Sequence, residues 1–351
     1  MKFVRNQWYV AALAEEVGDG LLERTVLGES IVLYRTLDGA VTGLANRCVH
    51  RRFPLSEGRL DSAGNLVCGY HGFTYDPAGT CVAVPAQQRI PRSARVPTYP
   101  VVERDRFIWV WIGDGKLADP ARIPSLPFLD DPSWAVLRGM AGVKCRYDLL
   151  IDNLMDLSHE TYLHSEWIGT PEVAETPTTT TTDEDACIVW VSRHMENVPC
   201  PPSYIPSMAA KGFSGKIDRW QDIEYHAPGL YLLNSRIAPP GRPPAADGED
   251  SHAAHKKIVY AVTPSTAGTT YDFWCVARDH EVGDVEADTR GMKSQAAVLG
   301  QDVDALNLLE ATLAGEPSGY QELSVNIDTG ALAARRMLAR LAEAGERVPQ
   351  G

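Results

Sequence analysis

The sequence lacks the features that would point to a membrane protein or a nucleic-acid-binding protein. No apolar run approaches the ~18 residues that a membrane-spanning helix needs. Basic residues are scarce, because 33 Lys and Arg stand against 46 Asp and Glu and leave a formal net charge of −13. Binding to phosphate-rich or anionic surfaces requires a basic face. We therefore expect no nucleic-acid partner and no membrane.

Cysteine is also used sparingly, and its pattern argues against a disulfide scaffold. The seven cysteines are an odd number and are scattered along the chain. The first ten residues show neither the apolar core nor the small-residue cleavage site of a secretory signal. Thiols that stay reduced are typical of the cytoplasm, so we expect a cytoplasmic protein whose cysteines are core residues or metal ligands.

The length and turn content indicate roughly two domains. At about 150 residues per domain, 351 residues suffice for two, and 29 Gly and 24 Pro favour short strands joined by turns. The apolar run 31–34 leads through Asp38-Gly39 into the run 41–44, which predicts a β-hairpin in an N-terminal all-β module. Four Asp-Pro, Ile-Pro or Leu-Pro steps then predict an extended connector.

The rest of the chain mixes strands with amphipathic helices, so the protein as a whole is predicted to be α+β. We expect helices at about 146–164, 286–314 and 328–344. The predicted division is 1–115 for the β module, 116–140 for the connector and 141–351 for the second domain.

Two short motifs in the β module bring thiols and imidazoles together. Cys48 and His50 form a Cys-x-His motif, and 17 residues separate it from the Cys-x2-His motif of Cys68 and His71. A tetrahedral structural zinc site uses the same ligand types. A Rieske [2Fe–2S] centre needs two cysteines on one iron and two histidines on the other. Because each loop offers one thiolate and one imidazole, the pattern favours the Rieske cluster over zinc.

A second concentration of metal-binding residues follows at 152–164. Asn153, Asp156 and His159 are spaced three apart and share one face of a helix whose leucines indicate substantial burial. His164 follows His159 by five positions, which an ideal helix turns by about 140°. A π-bulge or a helix end near Tyr162 is needed to bring both imidazoles to one metal.

Together these motifs resemble the ring-hydroxylating Rieske non-haem iron oxygenase family. Gly72 follows the last cluster ligand, and 153–164 matches the family's Asn-x2-Asp-x2-His-x4-His motif, whereas Val49 stands where the family usually has proline. The segments 3–12 and 328–336 look most like the oxygenase components of vanillate and dicamba O-demethylases. The resemblance implies an all-β Rieske domain and a catalytic domain with an antiparallel sheet flanked by helices, of the helix-grip (START) type.

The resemblance also implies two cofactors. A [2Fe–2S] cluster is held by the four ligands of the two short motifs. A mononuclear iron(II) is held by His159, His164 and one carboxylate, which leaves positions open for dioxygen. The family places this carboxylate on a helix near the C-terminus, where the chain offers Asp302 and Asp304. Helical spacing favours Asp302, because it lies on an apolar stripe of leucines while Asp304 is about 200° round the helix.

The family resemblance gives Asp156 a role between subunits. In the family the equivalent carboxylate joins a cluster histidine of one subunit to an iron histidine of its neighbour. Here Asp156 would join His71 of one chain to His159 of the next, and we assign catalytic roles to Asp156 and Asn153. The resemblance thus implies a ring-shaped homotrimer, since a head-to-tail contact closes only by rotation.

The expected reaction is O-demethylation of a methoxylated aromatic acid such as vanillate, with dioxygen as co-substrate and formaldehyde as a product. Hydroxylation of an aryl methyl group and cis-dihydroxylation of the ring are alternatives, and a Rieske electron carrier is the alternative without catalysis. The sequence shows no Gly-x-Gly-x-x-Gly fingerprint, so we expect a separate NAD(P)H-dependent reductase with flavin and ferredoxin centres. The expected substrate contacts are Asn234, Tyr260 and Lys293, of which Lys293 could pair with a substrate carboxylate.

Overall fold

The structure is a computed structural model that describes residues 2–85, 87–244, 252–317 and 321–346. The chain divides into two units. The first contains Phe3–Ser125 and Thr263–Ala267, and the second contains Leu126–Val262 and Gly268–Ala344. Within the described ranges, no helix is both long and apolar enough to cross a membrane.

The first unit is built from short antiparallel strands, as the alternating apolar runs predict. In chain order the strands are β1 Gln7–Leu13, β2 Leu22–Val26, β3 Glu29–Arg35, β4 Val41–Ala45, β5 Arg59–Leu60, β6 Leu66–Val67, β7 Thr74–Tyr75, β8 Cys81–Ala83, β9 Thr98–Tyr99, β10 Val101–Arg104 and β11 Phe107–Ile112. They form three sheets with the orders β1-β11-β10, β2-β3-β4-β9 and β5-β6-β7-β8. All six residues of β11 are buried, which explains its continuous apolar sequence.

The predicted hairpin at Asp38-Gly39 is confirmed. Strands β3 and β4 pair antiparallel, with Tyr34 opposite Thr42 and Arg35 opposite Val41. Gly39 has a φ of 85°, a left-handed conformation that glycine adopts without a steric penalty. The core beneath this hairpin includes the side chains of Cys48 and Cys68, so the two metal-motif loops are anchored in the β core.

The second unit combines one large sheet with helices. In chain order its elements are β12 Ala135–Val143, α1 Tyr147–Met155, α2 Glu160–Leu163, α3 Pro171–Glu175, β13 Thr179–Asp183, β14 Ile188–Val198, α4 Ile205–Ala210, β15 Ile217–His226, β16 Leu230–Ala238, β17 Ala254–Thr266, β18 Thr269–Arg278, α5 Val285–Leu313 and α6 Thr329–Glu346. The sheet has seven strands in the order β12-β18-β17-β16-β15-β14-β13. The predicted α+β class, with a β N-terminal region and an antiparallel sheet accompanied by helices, is confirmed.

Two of the three helix predictions match the structure closely, and the third is wrong as a single helix. The predictions 286–314 and 328–344 correspond to α5 and α6. The prediction 146–164 fails because the chain leaves the helix at Asp156, whose backbone is extended with φ −121° and ψ 96°. A 3₁₀ turn over Leu157–His159 and the short α2 follow this break.

Candidate metal centres and substrate cavity

Cys48 and Cys68 open two loops that share one pattern of backbone hydrogen bonds. Each cysteine N–H donates to the carbonyl of the phenylalanine five positions later, at 2.9 and 2.8 Å. The residue four positions after each cysteine donates its N–H back to the cysteine carbonyl. That residue, Arg52 or Gly72, has a φ of 59° or 70°. The two loops are therefore equivalent in backbone and present their side chains as a pair.

The thiols and imidazoles of these loops are separated by burial. Cys48 and Cys68 are 2% and 1% exposed. His50 and His71 are exposed, and their ring centroids lie 4.6 Å apart. The Tyr75 hydroxyl lies 3.1 Å from the Cys48 Sγ and so adds a polar contact at the buried end. The sulfur ligands thus lie in the core and the nitrogen ligands at the surface.

This donor set fits a two-iron cluster better than a single zinc ion. A tetrahedral zinc holds its ligand atoms at ~2.0–2.3 Å, so the ligands must converge on one point. Across the residues that the structure describes, only His159, His164 and Asp302 bring three ligand atoms of His, Cys, Asp or Glu within 4.8 Å of one another. The four loop residues instead form a buried pair of thiols and an exposed pair of imidazoles, as expected when thiolates and imidazoles bind different irons.

The break at Asp156 lets the two histidines of the second motif converge. The Asp156 carboxylate accepts the Ser158 N–H at 2.8 Å and so caps the 3₁₀ turn that ends at His159. Helix α2 then ends at Leu163, and His164 follows it directly. The His159 and His164 ring centroids lie 5.1 Å apart. A helix end near Tyr162, one of the two possibilities inferred from spacing, is what the structure contains.

Asp302 joins the two histidines from helix α5. Its Oδ1 lies 3.1 Å from the His164 Nε2 and 3.5 Å from the His159 Nε2. Asp302 is buried on the side of α5 that also buries Leu306, whereas Asp304 is exposed. Two imidazole nitrogens and one carboxylate oxygen are the donor set of a mononuclear non-haem iron(II) site with open positions. The residues present therefore fit this metal.

Each of the three side chains is oriented by a neighbour. The His164 Nδ1 donates to the Gln301 Oε1 at 2.8 Å, and the His159 Nδ1 donates to the Asp156 backbone carbonyl at 2.5 Å. Asn153 donates its Nδ2 to the Asp302 Oδ1 at 3.2 Å. Both histidines therefore keep Nε2 directed at the site, which is how outer contacts fix a metal-binding tautomer. Sequence reasoning missed Gln301, although its place beside Asp302 was a signal.

The electrostatics of the site couple metal binding to proton release. Burial tends to lower the pKa of His164, but the contacts with Asp302 and Gln301 outweigh burial and the pKa is raised. An imidazole must be neutral to bind a metal, so a metal ion competes with the proton for this nitrogen.

A buried ion pair stabilises the segment that carries His164. The Glu160 carboxylate accepts the Arg219 Nη2 at 2.9 Å and the Gln221 Nε2 at 3.0 Å. Arg219 also donates to the Ile168 carbonyl at 3.0 Å, in the segment that follows His164. Glu160 and Arg219 lie 59 positions apart, so no local pattern in the sequence signals the pair.

The structure shows how Asp156 contacts His159 within one chain. In the described part of the chain, the Asp156 group that contacts His159 is the backbone carbonyl, while the carboxylate caps the Ser158 N–H. The ring of His159 is therefore oriented without help from the Asp156 carboxylate of the same chain.

A cavity of about 370 Å³ opens onto the three metal-binding side chains. Its walls come from the sheet, from α5 and from the segments around the histidines. Tyr260 and Lys293, two of the predicted substrate contacts, line this cavity, and Lys293 is exposed. The Tyr260 hydroxyl accepts the Gln295 Nε2 of α5 at 2.9 Å.

The placement of Asn234 as a contact in this cavity is wrong. Successive side chains of a strand point to opposite faces of its sheet. Leu233 and Ser235 line the cavity, so Asn234 between them points to the other face. There it lines a separate polar cavity of about 300 Å³ together with Asp222 and Arg236. The predicted strand does line the cavity, but the sequence does not reveal which of its alternate side chains face it.

Comparisons with known proteins agree with both centres. A Rieske [2Fe–2S] domain model matches residues 7–100, and a vanillate O-demethylase oxygenase C-terminal domain model matches residues 143–344. The vanillate O-demethylase oxygenase subunit of Pseudomonas sp. (strain HR199 / DSM 7063) is 36% identical over 97% of this chain and 95% of its own. The oxygenase component of dicamba O-demethylase from Stenotrophomonas maltophilia is 34% identical over 97% of this chain and 98% of its own.

Two further matches bear on the chemistry. The iron-sulfur subunit TsaM1 of the toluene-4-sulfonate monooxygenase system of Comamonas testosteroni is 32% identical over 97% of this chain and 98% of its own. A crystal structure of dicamba monooxygenase with non-haem iron and dicamba matches with a TM-score of 0.85 and 31% identity, covering 99% of both chains.

The fold and the two donor sets define an iron-dependent oxygenase of the Rieske class. The chain belongs to the Rieske non-haem iron oxygenase family, with the C-terminal domain of the vanillate O-demethylase oxygenases. Its cofactors are a Rieske [2Fe–2S] cluster and a mononuclear non-haem iron.

Proposed function

We propose that this protein is the oxygenase component of a Rieske monooxygenase that O-demethylates a vanillate-like methoxylated aromatic acid. The observation that carries the proposal is the facial set of His159, His164 and Asp302 at the wall of a cavity that also contains aromatic and cationic side chains. The names of the vanillate and dicamba relatives support the same substrate class. The aryl methyl ether, dioxygen, NAD(P)H and a proton yield the phenol, formaldehyde, water and NAD(P)⁺.

The protein side chains have separate tasks in this reaction. Cys48, His50, Cys68 and His71 would hold the cluster, and the facial set would hold the mononuclear iron. When bound, the cluster supplies electrons and the iron activates dioxygen. Gln301 and the Asp156 carbonyl keep the Nε2 atoms of the two histidines directed at the site. Asn153 holds the Asp302 Oδ1 through its amide, and this contact orients the carboxylate.

The cavity orients the substrate and limits access of water. Leu137, Leu233 and Val298 supply apolar wall, against which an aromatic ring can pack. Tyr260 and Lys293 are retained as proposed substrate contacts, whereas Asn234 is not.

The proposal extends to partners and assembly. We infer a separate NAD(P)H-dependent reductase with flavin and ferredoxin centres, and a homotrimer in which Asp156 links His71 of one subunit to His159 of the next. We retain the division into a Rieske domain 1–115, a connector 116–140 and a catalytic domain 141–351. A cytoplasmic location is supported by the seven cysteines, none of which forms a disulfide.

Hydroxylation of an aryl methyl group is the second candidate, favoured by the name of the toluene-4-sulfonate relative. It uses the same iron site and differs in that the hydroxylated carbon stays bonded to the ring, whereas in demethylation it leaves as formaldehyde. A simple electron carrier has no use for the facial set, and cis-dihydroxylation finds no support in the names of these relatives.

The test is an aerobic assay of the metal-loaded protein with a reductase and NADH. We expect formaldehyde and the matching phenol in equal amounts from methoxylated benzoates, and none from the His159→Ala variant. A hydroxymethyl product from methylbenzoates or methylbenzenesulfonates, with no formaldehyde from methoxy compounds, would favour the second candidate.

A further inference from the structure

Five Lys and Arg side chains line the cavity beside the facial set. Three of its cations are arginines, each held by a carboxylate: Arg219 by Glu160 at 2.9 Å, Arg278 by Asp288 at 2.7 Å and Arg290 by Glu281 at 2.7 Å. The two others are lysines, Lys256 and Lys293. Lys293 is exposed on α5 and is solvated there.

Lys256 is a different kind of cation, because the cavity wall encloses it and the nearby charge of Glu281, which is already paired with Arg290, acts on it only from outside ion-pair distance. Its Nζ lies 3.9 Å from the centroid of the Tyr204 ring, and this contact directs the ammonium into the cavity. Across the described residues it makes no ion pair with any carboxylate. Burial lowers the pKa of Lys256 to about 8. An enclosed ammonium without an anion costs free energy, which a bound anion would recover.

The surroundings of Lys256 complete a small polar subsite. Ser235 lies directly opposite Lys256 in the pairing of β16 with β17. The Tyr204 hydroxyl and the Ser235 Oγ lie 2.7 Å apart, and either can donate. The subsite therefore offers one ammonium and hydroxyl groups, which suits an anion with two or three acceptor oxygens.

Strand β17 contributes two positions to the cavity wall, Lys256 in the subsite and Tyr260 beside helix α5. Tyr260, whose hydroxyl bonds to Gln295 of α5, is four residues beyond Lys256 on the same strand. Four strand residues span about 13 Å between Cα atoms. An aromatic ring can occupy the space between the two positions, with one substituent toward each.

We propose that Lys256 is the specificity-determining anion anchor of this enzyme, pairing with the carboxylate or sulfonate of an aromatic substrate while the Tyr204–Ser235 hydroxyls bind the same group. The inference rests on the proposed function and deepens it, because it names the side chain that selects acids over neutral aromatics. The sequence had suggested Lys293 for this pairing. Lys256 is preferred because a charge pair enclosed by protein is screened less than one at an exposed lysine.

The test uses three probes of one size: 3-methoxybenzoate, 3-methoxybenzenesulfonate and 3-methoxybenzamide. Their binding to the metal-loaded enzyme is measured by calorimetry, and KM and kcat by formaldehyde release. Lys256→Met should weaken binding of both anions about 10- to 100-fold, since it removes a charge-assisted contact. Binding of the amide should change less than about 3-fold, and kcat less than KM. Lys256→Arg should retain most of the anion preference.

The matched control is Lys216→Met, which changes an exposed lysine of the same unit outside the cavity lining and should leave all three probes unaffected. Equal weakening of anions and amide by Lys256→Met, at normal iron and cluster content, overturns the proposal. So does an anion preference lost in Lys293→Met and kept in Lys256→Met. Absence of formaldehyde from every probe with the native enzyme would refute the demethylase function, and the calorimetry would then decide on Lys256 by itself.

Discussion

The His164 Nδ1 lies 2.8 Å from the Oε1 of Gln301, the residue that immediately precedes Asp302. Adjacent residues of α5 thus supply one metal-binding carboxylate and the acceptor that orients a histidine of the same site. The two contacts share one segment of backbone, so a shift of α5 would move both together. Metal affinity is therefore expected to depend on the position of α5.

Replacing Gln301 should weaken the iron site without removing a ligand. Gln301→Ala deletes the acceptor of the His164 Nδ1 proton, and loss of such outer contacts typically costs 10- to 100-fold in metal affinity, an order-of-magnitude figure. Competition with a calibrated iron(II) chelator measures the change. Asp304→Ala, two positions beyond the ligand and exposed, is the control. Equal affinities for the native protein and Gln301→Ala would refute the orienting role.

Removing Asp302 should empty the mononuclear site and spare the cluster. Asp302→Ala leaves only two imidazoles, while the four cluster ligands belong to the first unit. Iron and acid-labile sulfide analysis should show the loss of about one iron per chain with sulfide unchanged. Iron lost from Asp304→Ala instead would identify the other aspartate as the ligand.

The Glu160–Arg219 pair should contribute strongly to stability, because both side chains are almost fully buried. Arg219→Met leaves a buried carboxylate without its cation and should destabilise the second unit by about 3–5 kcal/mol. Arg340→Met, which removes an exposed pair with Glu184, should cost under about 1 kcal/mol. Thermal unfolding at equal metal content compares the two. Similar losses of Tm in the two variants would mean that the buried pair contributes no more to stability than the exposed one.

The anion anchor predicts a pH dependence that depends on Lys256. Burial lowers the pKa of Lys256 to about 8, and the charged and titratable groups around it are Arg278, Glu281, Arg219, Cys200 and the Tyr204 hydroxyl. The ammonium is present below this pKa and is lost above it. The KM for 3-methoxybenzoate should therefore rise from pH 7 to pH 9 while that for the amide stays level. Lys256→Arg should flatten the rise, since arginine keeps its charge.

Asp156 is expected to matter for turnover between subunits rather than for folding. Asp156→Asn retains an oxygen that can cap the Ser158 N–H, so both metal sites should remain loaded. It removes the negative charge that the proposed link between His71 and His159 uses, and turnover should fall steeply. Mixed trimers of His71→Ala and His159→Ala subunits should regain activity. Verified mixed trimers without activity would place the link within one chain.

The metal-binding residues could be proposed from the sequence for a physical reason. Thiolates and imidazoles at short, fixed spacing have few uses, so Cys48, His50, Cys68 and His71 could be assigned from local pattern alone. The break at Asp156 was not predicted, because the leucine periodicity continues across it. The error at Asn234 has a different origin, since a strand's alternation gives two faces and only the packing of the sheet decides which one faces the cavity.

The contacts that sequence reasoning missed are those between distant positions. Gln301 meets His164 across 137 positions and Arg219 meets Glu160 across 59. The subsite of Lys256 likewise depends on the pairing of β16 with β17, which places Ser235 beside it. Such contacts follow from tertiary packing, which local propensity does not encode.

A single turnover with the isolated protein tests the central claim most directly, because it needs no reductase. The metal-loaded enzyme is reduced chemically, freed of reductant, and mixed with 3-methoxybenzoate and oxygenated buffer. The two electrons stored in each chain, one at each metal centre, suffice for one demethylation. We predict nearly one formaldehyde and one 3-hydroxybenzoate per iron site, together with reoxidation of the cluster. Cluster reoxidation without formaldehyde, or with the methoxy group intact in the product, would contradict the proposed function.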